Sequence, residues 1–195
     1  MGRRGAGAGF AVAWLAAVVV VSVAQHAFGV LPPERLAATP AAVANGRVWL
    51  LATSGFEVAG PPWLELPLAA VLVAAVIAVL GARTFWVAAV AGHVGATLIA
   101  YAGVGVLWLL ARPRVERVVH QPDYGISAVM AAALGALVGG LLARGRSGWA
   151  TAGLLAAGAG VLLGVTVSLP PTLADVEHLL AFALGAIVAW ALSQP

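Results

Sequence analysis

Cysteine and lysine are both missing from this chain of 195 residues, and charged residues make up only 9% of it. Without cysteine there is neither a disulfide framework nor a cysteine-ligated metal site. So little charge, beside 63% hydrophobic residues, lies outside the soluble range, where about a quarter of residues are charged. The net charge of +3 is carried by arginines that form no basic stripe with interleaved aromatics, so nucleic acid is not an expected partner. Asp175, Glu177 and His178 cluster, but there is no His-Glu-x-x-His, and neither a metal nor another cofactor is expected.

What the chain has in abundance is apolar runs. Six can be drawn, at roughly 10–30, 66–82, 85–110, 125–143, 149–169 and 176–192, most of them near the ~20 residues that cross a ~30 Å hydrocarbon core. Segments such as Val18-Val19-Val20-Val21 are apolar on every face, whereas strands of a membrane barrel would alternate. The expected fold is all-α, a six-transmembrane-helix bundle forming one domain over 1–195, with the lipid bilayer as its surroundings. The first run is longer than the ~7–15 residue core of a secretory signal and lacks a cleavage site, so it is read as a retained helix.

Arg3, Arg4, Arg83, Arg144 and Arg146 fall in very short segments on one side, and the other five arginines spread over long loops on the other. Basic residues in short loops mark the cytoplasmic side, which predicts both termini inside and a location in the plasma membrane. The longest outer connection, 31–65, carries Val48, Trp49, Leu50, Leu51 and Phe56 among turn residues, and is expected to lie in the interface. Gly135 with Gly139, and Gly160 with Gly164, repeat at the four-residue spacing that lets helices approach closely in lipid.

Two polar residues stand at the same end of separate spans. Ser127 lies near the start of the fourth, where Asp123 is available as a helix cap and the N–H groups of Ser127 and Ala128 are expected to lack intrahelical partners. The helix dipole there favours negative charge, so Ser127 is either a nucleophile beside an oxyanion cradle or a small packing serine. His178 follows Asp175-Val176-Glu177 at the start of the last span, where an imidazole can act as a base or simply bond to its neighbours. Each is expected two or three residues inside its helix, at matching depth.

His93, a third of the way along the third span, is the one deep histidine, and Thr97 lies one turn on. An ionisable group within a span is a candidate for function by default. It can serve as a hydrogen-bond donor to the site, as a proton-path residue, or as a neutral histidine bonded to a carbonyl. His26 and His120 are expected at the interface.

Gly125-Ile126-Ser127-Ala128, with Gly135 eight residues past the serine, resembles the Gly-x-Ser-Gly motif and glycine-spaced helix of the rhomboid intramembrane proteases. His178 with Gly185 resembles the family's sixth-helix His-x-x-Gly-x-x-x-Gly, and the stretch from Gly46 to Phe56 resembles its first-loop pattern of a tryptophan ahead of Leu-Thr-Ser-x-Phe. The resemblance implies a rhomboid fold and a Ser127/His178 dyad acting on a transmembrane protein substrate, with Gly125, Ala128, His93 and Asp123 as supporting residues. The family's His-x-x-x-Asn on the second helix corresponds to Glu65-Leu66-Pro67-Leu68-Ala69, so both side-chain donors to the oxyanion are replaced. Loss of one such donor typically slows turnover ~10²- to 10³-fold, which leaves open a second reading as a rhomboid-fold pseudoprotease that binds a transmembrane client.

Overall fold

The computed structural model describes residues 3–58, 60–146, 148 and 172–194. Among them the chain is helical, without a strand: α1 (Arg3–His26), α2 (Pro40–Ala44), α3 (Leu50–Thr53), α4 (Pro62–Leu80), α5 (Ala82–Val90), α6 (Ala96–Val119), α7 (Gly125–Ala143) and α8 (Leu173–Ser193). A π-helical turn, Ala91–Gly95, joins α5 and α6 into one rod, and 3₁₀ turns occupy Pro33–Arg35 and Ser54–Phe56. Five described helices are long and apolar enough to cross a membrane: α1, α4, the α5–α6 rod, α7 and α8. The predicted span 149–169, with Gly160 and Gly164, lies outside the described residues.

The fourth run, 125–143, coincides with α7, but other limits move. α1 starts near residue 3 rather than 10 and ends at His26, and the chain then turns through Gly29 and Leu31, both with positive φ. The third run, predicted as 85–110, is the helical rod Ala82–Val119. Its backbone leaves helical geometry at Ala111, two residues before Pro113, where the proline ring forbids a straight continuation. Helix then resumes through Arg114 and Arg117. The turn between α4 and α5 is the single residue Gly81, at φ 94°, so Arg83 belongs to a helix rather than to a loop.

α7 is the central helix. It is 72% buried, against 17–28% for the other four candidate spans, and its sequence is apolar on every face as a surrounded helix requires. α7 and α8 run parallel and pack most closely of all the described pairs. A Cβ added at Gly135 would run into the Phe182 carbonyl, at Gly139 into the Ala186 carbonyl, and at Gly185 into the Ala132 carbonyl. In lipid, such close backbone approach is the main source of helix association, because apolar side chains gain little by leaving the hydrocarbon. These glycines bring the two helix N-termini side by side.

The connection 31–65, expected at the interface, is anchored to the bundle at a few buried positions, while much of the rest stays exposed. α2 is capped by Thr39, whose Oγ1 accepts from Ala42 N at 3.0 Å. Leu50 and Leu51 are buried with Ala38, Ala100, Tyr101, Val104 and Leu173, while Val48 and Trp49 stay exposed. Ala38 exchanges both backbone hydrogen bonds with Asp123, at 2.8 and 3.3 Å. This pairing draws the loop onto the start of α7.

Candidate active site

Ser127 is the third residue of α7, and His178 is the sixth of α8 rather than the second or third. The extra turn arises because α8 begins at Leu173, behind a capping box in which Thr172 Oγ1 accepts from Asp175 N (3.2 Å) and Asp175 Oδ2 accepts from Thr172 N (2.7 Å). The parallel packing absorbs this offset. Ser127 Oγ and His178 Nε2 stand 2.7 Å apart, a short hydrogen bond. The hydroxyl can also donate to the Tyr124 carbonyl at 3.1 Å, but it has one proton, and an unprotonated Nε2 is the nearer acceptor.

Asp123 does not cap α7. The capping position falls to Tyr124, in extended backbone and without a side-chain cap bond. The bridge to Ala38 fixes Asp123 facing inward, where its Oδ2 accepts from Thr97 Oγ1 (3.3 Å) and Tyr101 Oη (3.5 Å). Glu177, immediately before His178 on α8, is also buried. First-turn N–H groups of α7, that of Ser127 among them, therefore keep no side-chain partner and can face a developing negative charge. Ala128 is the fourth residue of the helix, where i→i−4 geometry directs its N–H to Tyr124, so the cradle lies one residue earlier than the sequence suggests. Ala128 packs instead with Ala96, Ala131, Ala132 and Ala181 between the helices.

His93 lies in the π-helical turn, a local widening of the helix that redirects side chains. The ring is buried, with Nε2 3.3 Å from Ser54 Oγ. A Cβ at Gly125 would collide with the ring, and one at Gly55 would stand 3.3 Å from it. Both neighbours are glycine because the imidazole fills the space a side chain would need. His93 Nδ1 is buried without a well-formed hydrogen bond, although the Leu51 carbonyl is near the ring. His93 thus bonds the first-loop serine, not Ser127.

Two groups outside the spans are shifted by burial. Glu57 is fully buried and accepts from Gln25 Nε2 at 2.5 Å, and burial pushes its carboxyl above the usual glutamate range. Burial, with Glu34 and Glu57 facing it, likewise pushes the Tyr124 phenol up. In α4, Glu65 Oε1 accepts from Gly60 N at 2.9 Å, and Ala69, with no donor to offer, is buried against Val18, Val58 and Ile126.

Sequence reasoning missed Ser54, Tyr101 and the burial of Glu177. One signal was available: His93, Thr97 and Tyr101 recur at i, i+4 and i+8, a polar stripe on an otherwise apolar helix. Among the described residues no group of three or more His, Asp or Glu could hold a metal ion. Together the hydroxyl, the imidazole and the uncapped helix N-terminus can move a proton off Ser127 and receive an oxyanion beside it. No family model matches the chain, and comparisons with curated proteins and with solved structures find no match.

Proposed function

We propose that the chain is a rhomboid-like intramembrane serine peptidase that cuts transmembrane proteins near the outer face of the plasma membrane, with both termini in the cytoplasm. The observation that carries this reading is the 2.7 Å contact between Ser127 Oγ and His178 Nε2 at the start of two parallel helices. Ser127 Oγ attacks the peptide carbonyl carbon, forming the C–Oγ bond as the C=O π pair moves onto the carbonyl oxygen, while His178 takes the hydroxyl proton. The first-turn N–H groups of α7 receive the oxyanion. His178 then passes its proton to the leaving amine as the C–N bond breaks, and water, deprotonated by the same imidazole, releases the acyl group from Ser127.

A second reading, a pseudoprotease that holds a transmembrane client, is favoured by Glu65 and Ala69, which place no donor where the rhomboid pattern has two. Proteoliposomes containing the protein and a tagged single-helix substrate distinguish the two. The peptidase reading expects cleavage fragments that disappear in Ser127→Ala. Intact substrate that nonetheless co-purifies with both forms supports the client-binding reading instead.

A further inference from the structure

α6 reaches further than a crossing of the hydrocarbon requires. Over 82–110 the rod rises ~42 Å, the ~40–45 Å of a bilayer with both headgroup layers, and Arg83 at its start suits one of those layers. Tyr101 is tied partway along, its hydroxyl 3.5 Å from Asp123 Oδ2. A straight helix would put Val119 ~27 Å beyond Tyr101, and the few residues from there to Asp123 reach only ~14 Å when fully extended. The chain therefore turns back at Ala111, whose φ of −150° and ψ of 48° break the helix ahead of Pro113. Behind the bend Val115 is buried, and Val118 and Val119 pack against the cluster that holds Tyr101 and Val104. The bend is a projecting tip, anchored from one side.

The tip joins two chemistries. Leu109 is 84% exposed and Leu110 77%, with Val106 and Leu107 exposed beside them, an apolar patch that water disfavours. Arg112, Arg114 and Arg117 follow, all exposed, and Glu116 is the one acid within 102–121. Glu116 Oε2 lies 3.9 Å from Arg112 Nε, but both side chains are more than half exposed, so this contact leaves the patch basic. The Arg112 guanidinium stands 4.8 Å from the centre of the Trp108 ring. An indole and a guanidinium together at the end of a span suit the headgroup layer, where the ring lies among glycerol groups and the cation meets phosphate. Leucine gains from the acyl chains below, and the planar N–H fork of arginine matches a phosphate above.

We propose that the bend of α6, residues 106–117, is a binding site for anionic phospholipid: Leu109 and Leu110 enter the acyl region, and Arg112, Arg114 and Arg117 hold the lipid phosphates. The occupant follows from charge complementarity and depth. Three guanidinium groups call for anions, the leucines call for hydrocarbon, and the bilayer surface offers both at the height where the rod ends. The site goes beyond the peptidase reading and does not depend on what Ser127 does.

The test exploits the absence of cysteine. Leu110→Cys at the tip, Asn45→Cys in an exposed turn of the first loop and Val71→Cys on the exposed face of α4 are made singly in the full chain, spin-labelled and reconstituted into phosphatidylcholine vesicles containing phosphatidylglycerol. Accessibility to oxygen, which concentrates among acyl chains, is compared with accessibility to a water-soluble nickel chelate. The Leu110 label is expected to resemble that of Val71, with chelate access ~3-fold or more below that of Asn45. Chelate access equal to that of Asn45 overturns the proposal. So does spin–spin broadening at Leu110 that grows with protein density, which would seat a second copy on the tip. In a second arm, spin-labelled phosphatidylglycerol and phosphatidylcholine report headgroup choice by the unlabelled protein. Phosphatidylglycerol should be held ~5-fold in preference, less so at high salt. Replacing Arg112, Arg114 and Arg117 together by glutamine should lower that ratio ~2-fold or more, while Arg35→Gln with Arg47→Gln leaves it unaltered. A parent protein without the preference, or a preference that survives the triple substitution, overturns the assignment.

Discussion

Among the described residues two serine–histidine side-chain pairs stand out, and they differ in every respect that matters for chemistry. Ser127 and His178 are half-buried, 2.7 Å apart and placed at the starts of two long helices. Ser54 and His93 are 3.3 Å apart and almost wholly enclosed, the serine in a 3₁₀ turn and the histidine in a π-helical turn. Both pairs adjoin the start of α7, since the His93 ring packs on Gly125, but only the first can be reached from outside. Proximity of hydroxyl and imidazole is thus insufficient: access separates a candidate nucleophile from a structural clasp.

The comparison breaks most sharply by deleting one serine at a time. Ser127→Ala should lower covalent labelling and peptide cleavage by ~10³-fold or more, whereas Ser54→Ala should leave both within ~3-fold, measured as labelling rates on matched amounts of folded protein. A Ser54→Ala loss as large as that of Ser127→Ala would erase the distinction. Next in size is Gly135→Val, which drives a side chain into the Phe182 carbonyl and separates α7 from α8. It should cost about 1–3 kcal/mol in denaturant titration and slow labelling ~10²-fold by pulling His178 off Ser127, with the Ser54–His93 signals retained.

Gly125→Ala works from the other side, since its Cβ would displace the His93 ring. The expected outcome is a change in the His93 ¹⁵N signals with labelling slowed only ~10-fold or less, because the nucleophile lies two residues on. The smallest effect concerns Glu57, three residues past Ser54. Burial holds its carboxyl above the usual range, so the folded protein keeps a proton that the unfolded chain gives up as pH rises. Its contribution to stability is fully present below the ordinary glutamate range and is lost on the way up through the raised value. Glu57→Gln, which cannot ionise, should melt higher than the parent in alkaline buffer and equally in acid, with labelling unchanged.

Five of the six spans were legible because long apolar runs have few alternatives in lipid, and α7 was located well because Pro122 and Arg144 bracket it. Ser127 and His178 could be named because each opens a span. Asp123 was misassigned for a physical reason: a short acidic side chain just before a helix normally caps it, and only the tertiary bridge to Ala38 turns it inward. Its donors Thr97 and Tyr101 lie 26 and 22 residues upstream, and Ser54 lies 39 residues from His93, separations that no local rule connects. The π-helical turn that aims His93 leaves no mark in an Ala/Gly/Val-rich stretch, so the clasp became visible only with the backbone in place.

Intact-mass and peptide mapping of the full-length protein in nanodiscs after fluorophosphonate treatment addresses the central claim most directly. A single phosphonyl adduct on Ser127, absent in His178→Ala and undiminished in Ser54→Ala, is the predicted result. A correctly folded protein that carries no adduct on Ser127, or carries it equally without His178, would contradict the account.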